Sequence, residues 1–456
     1  MKRFRSNLSS KVLIPLGKTF SGRRFFLAKK YQRYLYKSQY QDRSILRAKR
    51  IASLKKLIAH CYHNVPYYHQ LMEKIGINPE DISGLEDLKN FPLLTKSTLR
   101  ENFNSLRANN IPISKMKLEA SGGTTGTPIQ LFIDSTTQYR VDASDWRFWS
   151  WANFLPGMKV AEFWGHINEL KKSKTIYSKL KLLMENTFML NAFDLSEENM
   201  NMYLKLINQK KPDIFHGYAS AILRFTRYIR DQGKKIHKPK SIILTADKIH
   251  QKEKIEIGSF YNCGVYDEYG CREFSIIAHE CEYHTGLHVA DEHFIIEVID
   301  PENGHENTNE FGEIIITSLV NYSMPLIRYQ IGDLGRILDD KCQCGRTLTL
   351  IDFISGRTAD FVITKSGKKV YGPLFIIAFD HVKGVSQFLI EQHEIGKIQI
   401  KLLVDNHFNN NNGLISIKNK LTTVFLDDLD YEIDFVNELY LSRSGKRRTV
   451  ISYLNN

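Results

Sequence analysis

One glycine- and hydroxyl-rich segment of this sequence has the composition of an anion-binding loop. Residues 121–128 read Ser-Gly-Gly-Thr-Thr-Gly-Thr-Pro, and the alternating run at 129–133 that follows predicts a strand. Such a loop can direct several backbone N–H groups and hydroxyls at one anion, since glycine permits close approach of the backbone. A hairpin turn without a ligand has the same composition. The chain has no G-x-x-x-x-G-K-[ST] phosphate loop, so a cation for a bound phosphate must come from another segment.

Cysteines and histidines form a second group with chemical potential. Cys342 and Cys344 are separated by one residue, and Cys281, His284 and His288 lie upstream. Two thiolates with one further cysteine and one histidine would make a tetrahedral structural zinc site, although the spacing is not that of a standard zinc finger. Buried reduced cysteines beside exposed histidines are the alternative interpretation.

Charge separates the start of the chain from the rest. Residues 1–50 contain 15 Lys and Arg and one acid, Asp42, whereas the remaining residues contain 48 bases and 49 acids. A membrane surface, an anionic glycolipid or a nucleic acid would attract such a leader, and a solvated helical face is the alternative. No apolar run approaches a membrane span and no signal peptide is evident, so with only six cysteines we expect a protein of the reducing cytoplasm.

The hydrophobic pattern predicts an α/β protein of more than one domain. Residues 208–275 alternate between strands and helices, which implies a parallel sheet with right-handed crossovers. Residues 286–337 are strand-rich, and an Asn-rich stretch at 407–412 predicts a loop. We therefore divide the chain into a basic helical leader at 1–60, a large domain at 61–355 and a small α+β domain at 356–456.

Four more motifs follow the loop in order along the chain. They are Asp-Glu-Tyr-Gly-Cys-Arg-Glu at 267–273, Pro-Leu-Ile-Arg-Tyr-Gln-Ile-Gly-Asp-Leu at 325–334, Ile-Ser-Gly-Arg-Thr-Ala-Asp at 354–360 and Ser-Arg-Ser-Gly-Lys-Arg-Arg at 442–448. In this order and spacing the set resembles the adenylate-forming superfamily, and within it the phenylacetate–CoA ligase/CapK-like family. The resemblance extends over roughly residues 50–455 and includes the His-Cys-Tyr-His-Asn-Val-Pro-Tyr-Tyr stretch at 60–68.

The resemblance implies an enzyme that activates a carboxylic acid with ATP. The acid becomes an acyl-adenylate, pyrophosphate is released, and the acyl group is transferred to CoA. Transfer to an amine or sugar acceptor in polysaccharide biosynthesis is the alternative second step. The implied fold is a large multi-sheet N-terminal domain with a small mobile C-terminal lid, and the implied cofactors are ATP, Mg²⁺, structural Zn²⁺ and CoA.

The resemblance also implies roles for single residues. Lys446 would bridge the acyl carboxylate and the α-phosphate, and Asp333 would accept bonds from both ribose hydroxyls. Tyr269 would flank the adenine, and Glu273 would help to hold Mg²⁺. Arg272 stands where many members have Thr before the motif glutamate, which adds a cation beside the phosphates. Ile331 stands where many members have Thr before the glycine of the later motif. The implied nucleotide-binding set is Ser121, Gly122, Gly123, Thr124, Thr125, Gly126, Asp267, Glu268, Tyr269, Gly270, Asp333 and Arg357.

Two further sets follow from the same resemblance. Trp164, His166 and Tyr218 would border the acyl pocket, where aromatic side chains favour an aryl or other compact acid, although aromatics at this density are also typical of a core. Arg357 and Asp360 would lie at the hinge between the domains. Some members have a matching Cys and Gly-Leu-His followed by Cys-x-Cys, so the zinc ligands would be Cys281, His288, Cys342 and Cys344, with His284 as the alternative histidine.

Two other classes of protein compete with this interpretation. A zinc-containing nucleic-acid-binding protein is suggested by the net charge of +13, but the body of the chain beyond residue 50 is nearly neutral. A non-catalytic relative is disfavoured because Lys446, Asp333 and Glu273 are retained. The expected partners are a small carboxylic acid and CoA or an amine or sugar acceptor, without nucleic acid. The basic N-terminus would add a peripheral contact with the inner membrane face or an anionic glycan.

Overall fold

The computed structural model describes most of the chain. The described residues are 24–120, 128–165, 186–300, 304–306, 311–357, 361–372, 375, 379, 382, 384–405, 408–425, 428–437, 439 and 449–454, with the backbone alone at 353–357, 371, 386 and 423–425. The predicted loop at 121–127, His166, Asp360 and Lys446 lie outside them.

Three helices open the described chain: α1 (24–38), α2 (Arg43–Asn64) and α3 (Pro66–Ile75). The Asp42 side chain accepts a bond from the backbone N–H of Ser44 at 2.7 Å and caps α2, and proline stands at the first position of α3. Leu54, Leu57 and Ile58 of α2 are fully buried in the main core. The described part of the predicted leader is therefore packed into the large domain rather than set apart from it.

A hairpin and a long helix follow. Strands β1 (Met116–Ala120) and β2 (Gln130–Asp134) pair in antiparallel register, with Ala120 opposite Gln130, so the loop at 121–127 joins two paired strands. Asp134 then caps α5 by accepting a bond from the Thr137 N–H at 2.7 Å. Helix α4 (Lys96–Glu101) precedes the hairpin, and α5 (Ser135–Trp151) follows it. Three short 3-10 turns also lie before the hairpin, at Pro79–Asp81, Glu86–Asn90 and Ile113–Lys115.

The parallel half of the main sheet matches the alternation that the sequence predicts. Its strands lie in the order β4-β3-β5-β6-β7, and among the described residues a helix connects β4 to β5, β5 to β6 and β6 to β7. The elements are β3 (Val160–Trp164), β4 (Thr187–Asn191), α6 (Glu197–Lys210), β5 (Ile214–Tyr218), α7 (Ala219–Asp231), β6 (Ser241–Thr245), α8 (Gln251–Tyr261) and β7 (Gly264–Cys271).

Strand β7 joins this half to an antiparallel half. Its first residues pair with β6 in parallel, and residues from Glu268 onward pair with β8 in antiparallel register. The eleven strands then form one sheet in the order β10-β11-β12-β13-β9-β8-β7-β6-β5-β3-β4. The added strands are β8 (Ser275–Glu280), β9 (Leu287–Val289), β10 (Phe294–Ile299), β11 (Gly312–Ser318), β12 (Tyr329–Leu338) and β13 (Leu350–Arg357).

The C-terminal residues form a smaller unit with its own core. Phe388, Ile400 and Leu421 are among its buried residues. Its four-stranded sheet has the order β18-β17-β16-β19, and β14 pairs with β15 beside it. The elements are β14 (Phe361–Ile363), β15 (Lys369–Tyr371), β16 (Val385–Glu394), β17 (Lys397–Val404), α9 (Asn410–Phe425), β18 (Asp430–Phe435) and β19 (Val450–Ser452). The predicted α/β class, with a large domain and a smaller C-terminal one, is confirmed. Among the described helices, none is both long and apolar enough to cross a bilayer.

Candidate functional site

Two of the predicted motifs meet at the end of β7. The Tyr269 hydroxyl donates a hydrogen bond to Asp333 Oδ2 at 3.0 Å, although the residues are 64 positions apart. Gly332, before Asp333, has a φ of +86° that favours glycine. Burial, and next the charge of Asp333, raise the pKa of Tyr269 well above its usual value, so its hydroxyl stays a donor. The predicted adenine and ribose residues are thus neighbours.

A second contact joins the same two segments. The Tyr329 hydroxyl donates to Glu273 Oε1 at 2.9 Å, and burial raises the pKa of Tyr329. Arg272, directly before Glu273, is exposed. Lys96 at the start of α4 donates to the Ile331 carbonyl oxygen at 2.7 Å, which places a cation two residues from Asp333. Lys96 was not among the residues predicted from the sequence, because nothing in its segment distinguishes it from other lysines at the start of a helix.

Asp267 is held by a buried ion pair on the α8 side of the sheet. Lys254 Nζ lies 2.9 Å from Asp267 Oδ2 and also contacts Glu280, and the Asp267 N–H donates to Glu280 Oε2 at 2.8 Å. Burial opposes the charge on Lys254, but the two carboxylates outweigh it and raise its pKa. Burial likewise opposes the charge on Glu280, yet His284 and Lys254 lower the pKa of Glu280 to about 2. Asp267 therefore anchors the strand that carries Tyr269.

Glu268 faces the opposite side, towards α5, where it joins a buried polar cluster. Glu162 and His216 are register partners on β3 and β5. His216 Nε2 lies 3.4 Å from Glu268 Oε1, its Nδ1 lies 3.8 Å from Glu162 Oε1, and the Trp149 indole N–H donates to Glu268 Oε2 at 2.7 Å. We call Glu162, His216, Glu268 and Asp145 the His216 cluster.

The His216 cluster has unusual protonation states. Burial disfavours the imidazolium, but Glu162 and Glu268 outweigh it and raise the pKa of His216 to about 10. Burial would raise the pKa of Glu268, but His216 outweighs burial and lowers it. Burial, and next the charge of Glu268, raise the pKa of Asp145 well above its usual value, and Ser275 Oγ donates to Asp145 Oδ2 at 3.1 Å. At neutral pH His216 is therefore cationic and Glu268 is ionised, while burial favours the neutral form of Asp145.

Aromatic rings border this cluster. The Trp164 ring lies 6.0 Å from the His216 ring at an angle of 20°, and 5.2 Å from the Tyr218 ring. Trp149 lies 4.7 Å from His216 on the α5 side. Trp164 and Tyr218, two of the predicted acyl-pocket residues, therefore contact each other directly above the charged groups.

Four predicted zinc ligands converge in the antiparallel half. The ligand atoms of Cys281, His288, Cys342 and Cys344 all lie within 4.8 Å of one another, and we call them the Cys/His cluster. Cys281 Sγ lies 3.5 Å from Cys342 Sγ, and Cys344 Sγ lies 3.3 Å from His288 Nε2. Ligands of one tetrahedral zinc ion would be separated by roughly 3.5–3.8 Å, so the donor set and spacing fit zinc.

His284, the alternative histidine, is directed elsewhere. Its Nδ1 lies 3.0 Å from Glu280 Oε2.

The thiols of the Cys/His cluster have polar neighbours: Thr285 Oγ1 donates to Cys342 Sγ at 3.2 Å, and the Arg346 N–H donates to Cys344 Sγ at 3.4 Å. Such donors stabilise thiolates, the form in which cysteine binds a metal.

The remaining predicted residues are only partly described. Arg357 ends β13, and its backbone is the register partner of Asp333. Gly270 lies in β7 opposite Ile276, too close to the Ser275 carbonyl for a Cβ. The loop residues Ser121–Gly126, His166 and Lys446 are outside the described part of the chain.

Comparison with known proteins agrees with the motifs. A family model described as the CapK C-terminal domain matches residues 362–453. The chain is 27% identical over 340 residues to a phenylacetate-coenzyme A ligase of Thermus thermophilus, covering 72% of this chain and 74% of the relative. It is 25% identical over 398 residues to the protein CapK of Staphylococcus aureus, covering 85% of each.

The fold also has solved counterparts. A 2-hydroxyisobutyryl-CoA ligase, solved in a postadenylation state with its acyl-AMP, superimposes with a TM-score of 0.72 at 17% identity over 91% of both chains. This likeness concerns the fold. Together these findings confirm the resemblance predicted from the five motifs.

Proposed function

We propose that this chain, which is similar to phenylacetate-coenzyme A ligase and CapK and shares the fold of a 2-hydroxyisobutyryl-CoA ligase, joins a carboxylic acid to coenzyme A through an acyl-adenylate. The observation that carries the proposal is the 3.0 Å contact between Tyr269 and Asp333, since it brings together two motifs that are 64 residues apart in the sequence. A carboxylate positioned by a buried tyrosine hydroxyl is suited to accept bonds from vicinal ribose hydroxyls.

The proposed reaction has two steps. A carboxylate oxygen of the acid attacks the α-phosphorus of ATP, the bond to the bridging oxygen breaks, and pyrophosphate leaves. The thiolate of coenzyme A then attacks the acyl carbon, and AMP leaves with the electron pair of the broken C–O bond. In both steps negative charge moves onto phosphate oxygens, so the protein must supply cations and N–H donors.

The chain's own residues supply these groups in the proposal. Asp333 accepts the ribose hydroxyls and is oriented by Tyr269, and the backbone N–H groups of the loop at 121–127 bind pyrophosphate. Lys446 places a positive charge between the acyl carboxylate and the α-phosphate. Glu273 offers its carboxylate to Mg²⁺, which neutralises phosphate charge when bound. Tyr329 orients that carboxylate from the neighbouring segment.

A screen for pyrophosphate release tests the proposal. Purified protein is incubated with ATP and Mg²⁺ over a panel of aryl, amino and short-chain acids, with and without coenzyme A. We expect release that depends on the acid, with AMP as the nucleotide product. Lys446→Ala should lower the adenylation rate about 100-fold or more, whereas the control Lys418→Ala, an exposed lysine of the same domain, should not change it. Activity that survives Lys446→Ala would contradict the role of Lys446.

A second acceptor class is proposed from one comparison. The match to CapK covers 85% of the chain, against 72% for the phenylacetate-coenzyme A ligase, and the C-terminal family model is that of CapK. This favours an amine or sugar hydroxyl of a polysaccharide precursor as the group that attacks the acyl carbon. Acyl-adenylate that accumulates with coenzyme A but is consumed on addition of an amino sugar would support this acceptor, and rapid thioester formation would exclude it.

We also propose that the Cys/His cluster binds one structural Zn²⁺. The set has four protein ligands, so no position is left for a catalytic water. It would connect the β8–β9 turn to the segment before β13. Elemental analysis of the purified protein should give about one zinc per chain, and Cys342→Ser should lose it while Cys263→Ser should not. Wild-type protein without stoichiometric zinc would contradict this assignment.

Membrane contact through the N-terminus is proposed from the exposed face of α1. Lys30, Arg33 and Lys37 are exposed there beside Phe26 and Tyr40, which are 69% and 53% exposed. Ala28 and Leu35 on the other face are fully buried, and residues 1–23 add six bases without an acid. Basic and aromatic side chains on one face suit an anionic bilayer surface at the cytoplasmic side.

Vesicle sedimentation tests this contact. The protein should bind phosphatidylglycerol vesicles, not phosphatidylcholine vesicles, and binding should fall with added salt. Replacing Lys30, Arg33 and Lys37 by Glu should abolish binding, whereas the same change at the exposed Lys252, Lys368 and Lys418 should leave it. Equal binding by both triple variants would overturn the assignment to α1.

A further inference from the structure

The His216 cluster lies where an α/β sheet offers a ligand site. Glu162 and His216 stand two residues before the ends of β3 and β5, and Glu268 stands where β7 changes from parallel to antiparallel pairing. Ligands of open α/β sheets bind beyond the carboxyl ends of the strands, at the point where the strand order reverses, and here the order reverses between β3 and β5 because β4 pairs with the other edge of β3. Trp164 and Tyr218 are on the same face as Glu162 and His216, because side chains alternate with a period of two.

The cluster is rich in acceptors and is not saturated by its own contacts. One imidazolium faces two carboxylates, which leaves an excess of one negative charge. Among the described residues, His216 Nδ1 and Asp145 Oδ1 are buried without a hydrogen-bond partner, and the His216 side chain is only 10% exposed. In the imidazolium Nδ1 is a donor, and its 3.8 Å separation from Glu162 Oε1 is longer than a hydrogen bond, so the Glu162 carboxylate is not saturated by His216. Glu162 is the most open of the ion-paired members, with 28% of its side chain exposed. The Trp149 indole N–H donates to one oxygen of Glu268. The carboxylate with oxygens left to accept a hydrogen bond from a ligand is therefore that of Glu162.

We propose that the His216 cluster recognises the acyl part of the acid substrate, and that this acid carries a hydrogen-bond donor, a hydroxyl or an ammonium group, away from its reacting carboxylate. The inference rests on the proposed adenylation and names the substrate class for it. The donor would bind Glu162 while the Trp164 and Tyr218 rings contact the carbon skeleton. An ammonium group would also be attracted to the ring faces.

The charge of the cluster disfavours the other classes of acid. A purely apolar acyl group would displace water from Glu162 and leave its oxygens unpaired, which costs about 1–3 kcal/mol for a buried polar group. A dicarboxylic acid would bring a second negative charge beside the excess one. Sites that hydrogen-bond a substrate group reject analogues that lack it far more strongly than apolar pockets reject an extra methylene.

Matched acids test the inference. One series is phenylacetate, 4-hydroxyphenylacetate, 4-(aminomethyl)phenylacetate and 4-carboxyphenylacetate, and the other is propanoate, 3-hydroxypropanoate, β-alanine and succinate. In the series that fits the site, we expect kcat/KM for pyrophosphate release to be about tenfold or more higher for a donor-bearing acid than for the unsubstituted one. The hydroxyl and ammonium members distinguish the two donors. The dicarboxylic acid should be the poorest substrate.

Variants at Glu162 connect the preference to the cluster. Glu162→Leu should remove the preference, and Glu162→Gln should keep acceptance of a hydroxyl but lose acceptance of an ammonium group. The control Glu198→Gln, at an exposed glutamate of α6, should change neither. Melting temperatures of the variants establish that they fold. A wild-type preference for the unsubstituted acid, or a preference that persists in Glu162→Leu, would overturn the inference.

A binding measurement separates this inference from the proposed function. Trp149 and Trp164 flank His216, so acid binding should change the intrinsic fluorescence of the protein. Tighter binding of donor-bearing acids without any pyrophosphate release would contradict adenylation and support the recognition site. Pyrophosphate release together with tighter binding of unsubstituted acids would support adenylation and contradict the recognition site. Equal affinity for all acids within each series would also overturn the recognition site.

Discussion

Two groups of titratable side chains in and beside the main sheet differ in how many of their polar atoms find partners within the group. In the Cys/His cluster of the antiparallel half, four ligand atoms lie within 4.8 Å of one another. In the His216 cluster of the parallel half, the imidazole is 3.4 Å and 3.8 Å from its carboxylates, and two buried polar atoms have no hydrogen-bond partner among the residues that the structure describes. The first set suits a single ion with no position left over, whereas the second has capacity for a further polar group.

This difference separates a structural role from a recognition role. The cysteines and His288 come from β8–β9 and from the segment before β13, so an ion held by them would cross-link parts of the chain that are distant in sequence. The members of the His216 cluster stand on α5, on β7 and near the carboxyl ends of β3 and β5, and such strand ends are where α/β sheets bind ligands. Loss of the first should therefore reduce stability without changing selectivity, and changes to the second should alter selectivity as well as stability.

Removing a ligand of the Cys/His cluster should have the largest effect on stability. With free zinc about a thousandfold above its dissociation constant, binding contributes roughly 4 kcal/mol to the free energy of unfolding. Cys342→Ser should lose zinc and most of this contribution, measured by urea unfolding with and without a chelator. Cys263→Ser is the control. If chelation left wild-type stability unchanged, the cluster would not be a structural metal site.

Removing the cation of the His216 cluster should cost somewhat less. His216→Gln leaves Glu162 and Glu268 facing each other without a charge between them, and breaking a buried pair costs about 3 kcal/mol. We expect lower stability with zinc content unchanged, determined by unfolding and elemental analysis on the same samples. Loss of zinc from this variant would show that the two clusters are not independent.

The pH dependence should distinguish the clusters as well. The folded-state pKa of His216 is raised to about 10, above its unfolded value near 6.5. Its contribution to stability is therefore complete below about pH 6.5 and is lost as pH rises through about 10. Urea unfolding at pH 6, 8 and 10 should show wild type losing its advantage over His216→Gln. A constant difference between the two proteins across this range would contradict a charged His216.

The smallest effect is expected at the nucleotide motif. Tyr269→Phe removes one hydrogen bond to Asp333, worth about 1 kcal/mol, so KM for ATP should rise about fivefold with little change in acid selectivity. Tyr283→Phe, at an exposed tyrosine, serves as the control. A change in the ranking of acids without a change in KM for ATP would instead place Tyr269 in the acyl site.

Sequence reasoning predicted the parallel half well because each strand and helix there is a separate periodic segment. It also predicted the set of four possible zinc ligands. It did not identify the His216 cluster, since Glu162 and His216 become neighbours only through the register of β3 with β5. Glu268 was grouped with the nucleotide residues, but side-chain alternation along β7 directs it to α5 while Asp267 faces Lys254 on α8.

Polar residues at a helix start explain one further difference. The Asn-rich stretch at 407–412 was predicted to be a loop, yet α9 begins at Asn410. Asn409 Oδ1 accepts a bond from the Asn412 N–H at 3.0 Å, which is the arrangement of a helix cap. Asparagine favours turns and caps alike, so composition alone could not distinguish them.

Exchange of labelled pyrophosphate into ATP tests the central claim most directly, because it reports reversal of the first step without any acceptor. With an acid from the screen, we expect exchange that requires both ATP and the acid, proceeds without coenzyme A and is lost in Lys446→Ala. Formation of ADP and phosphate in place of AMP and pyrophosphate, or exchange that is independent of the acid, would contradict an adenylate-forming reaction.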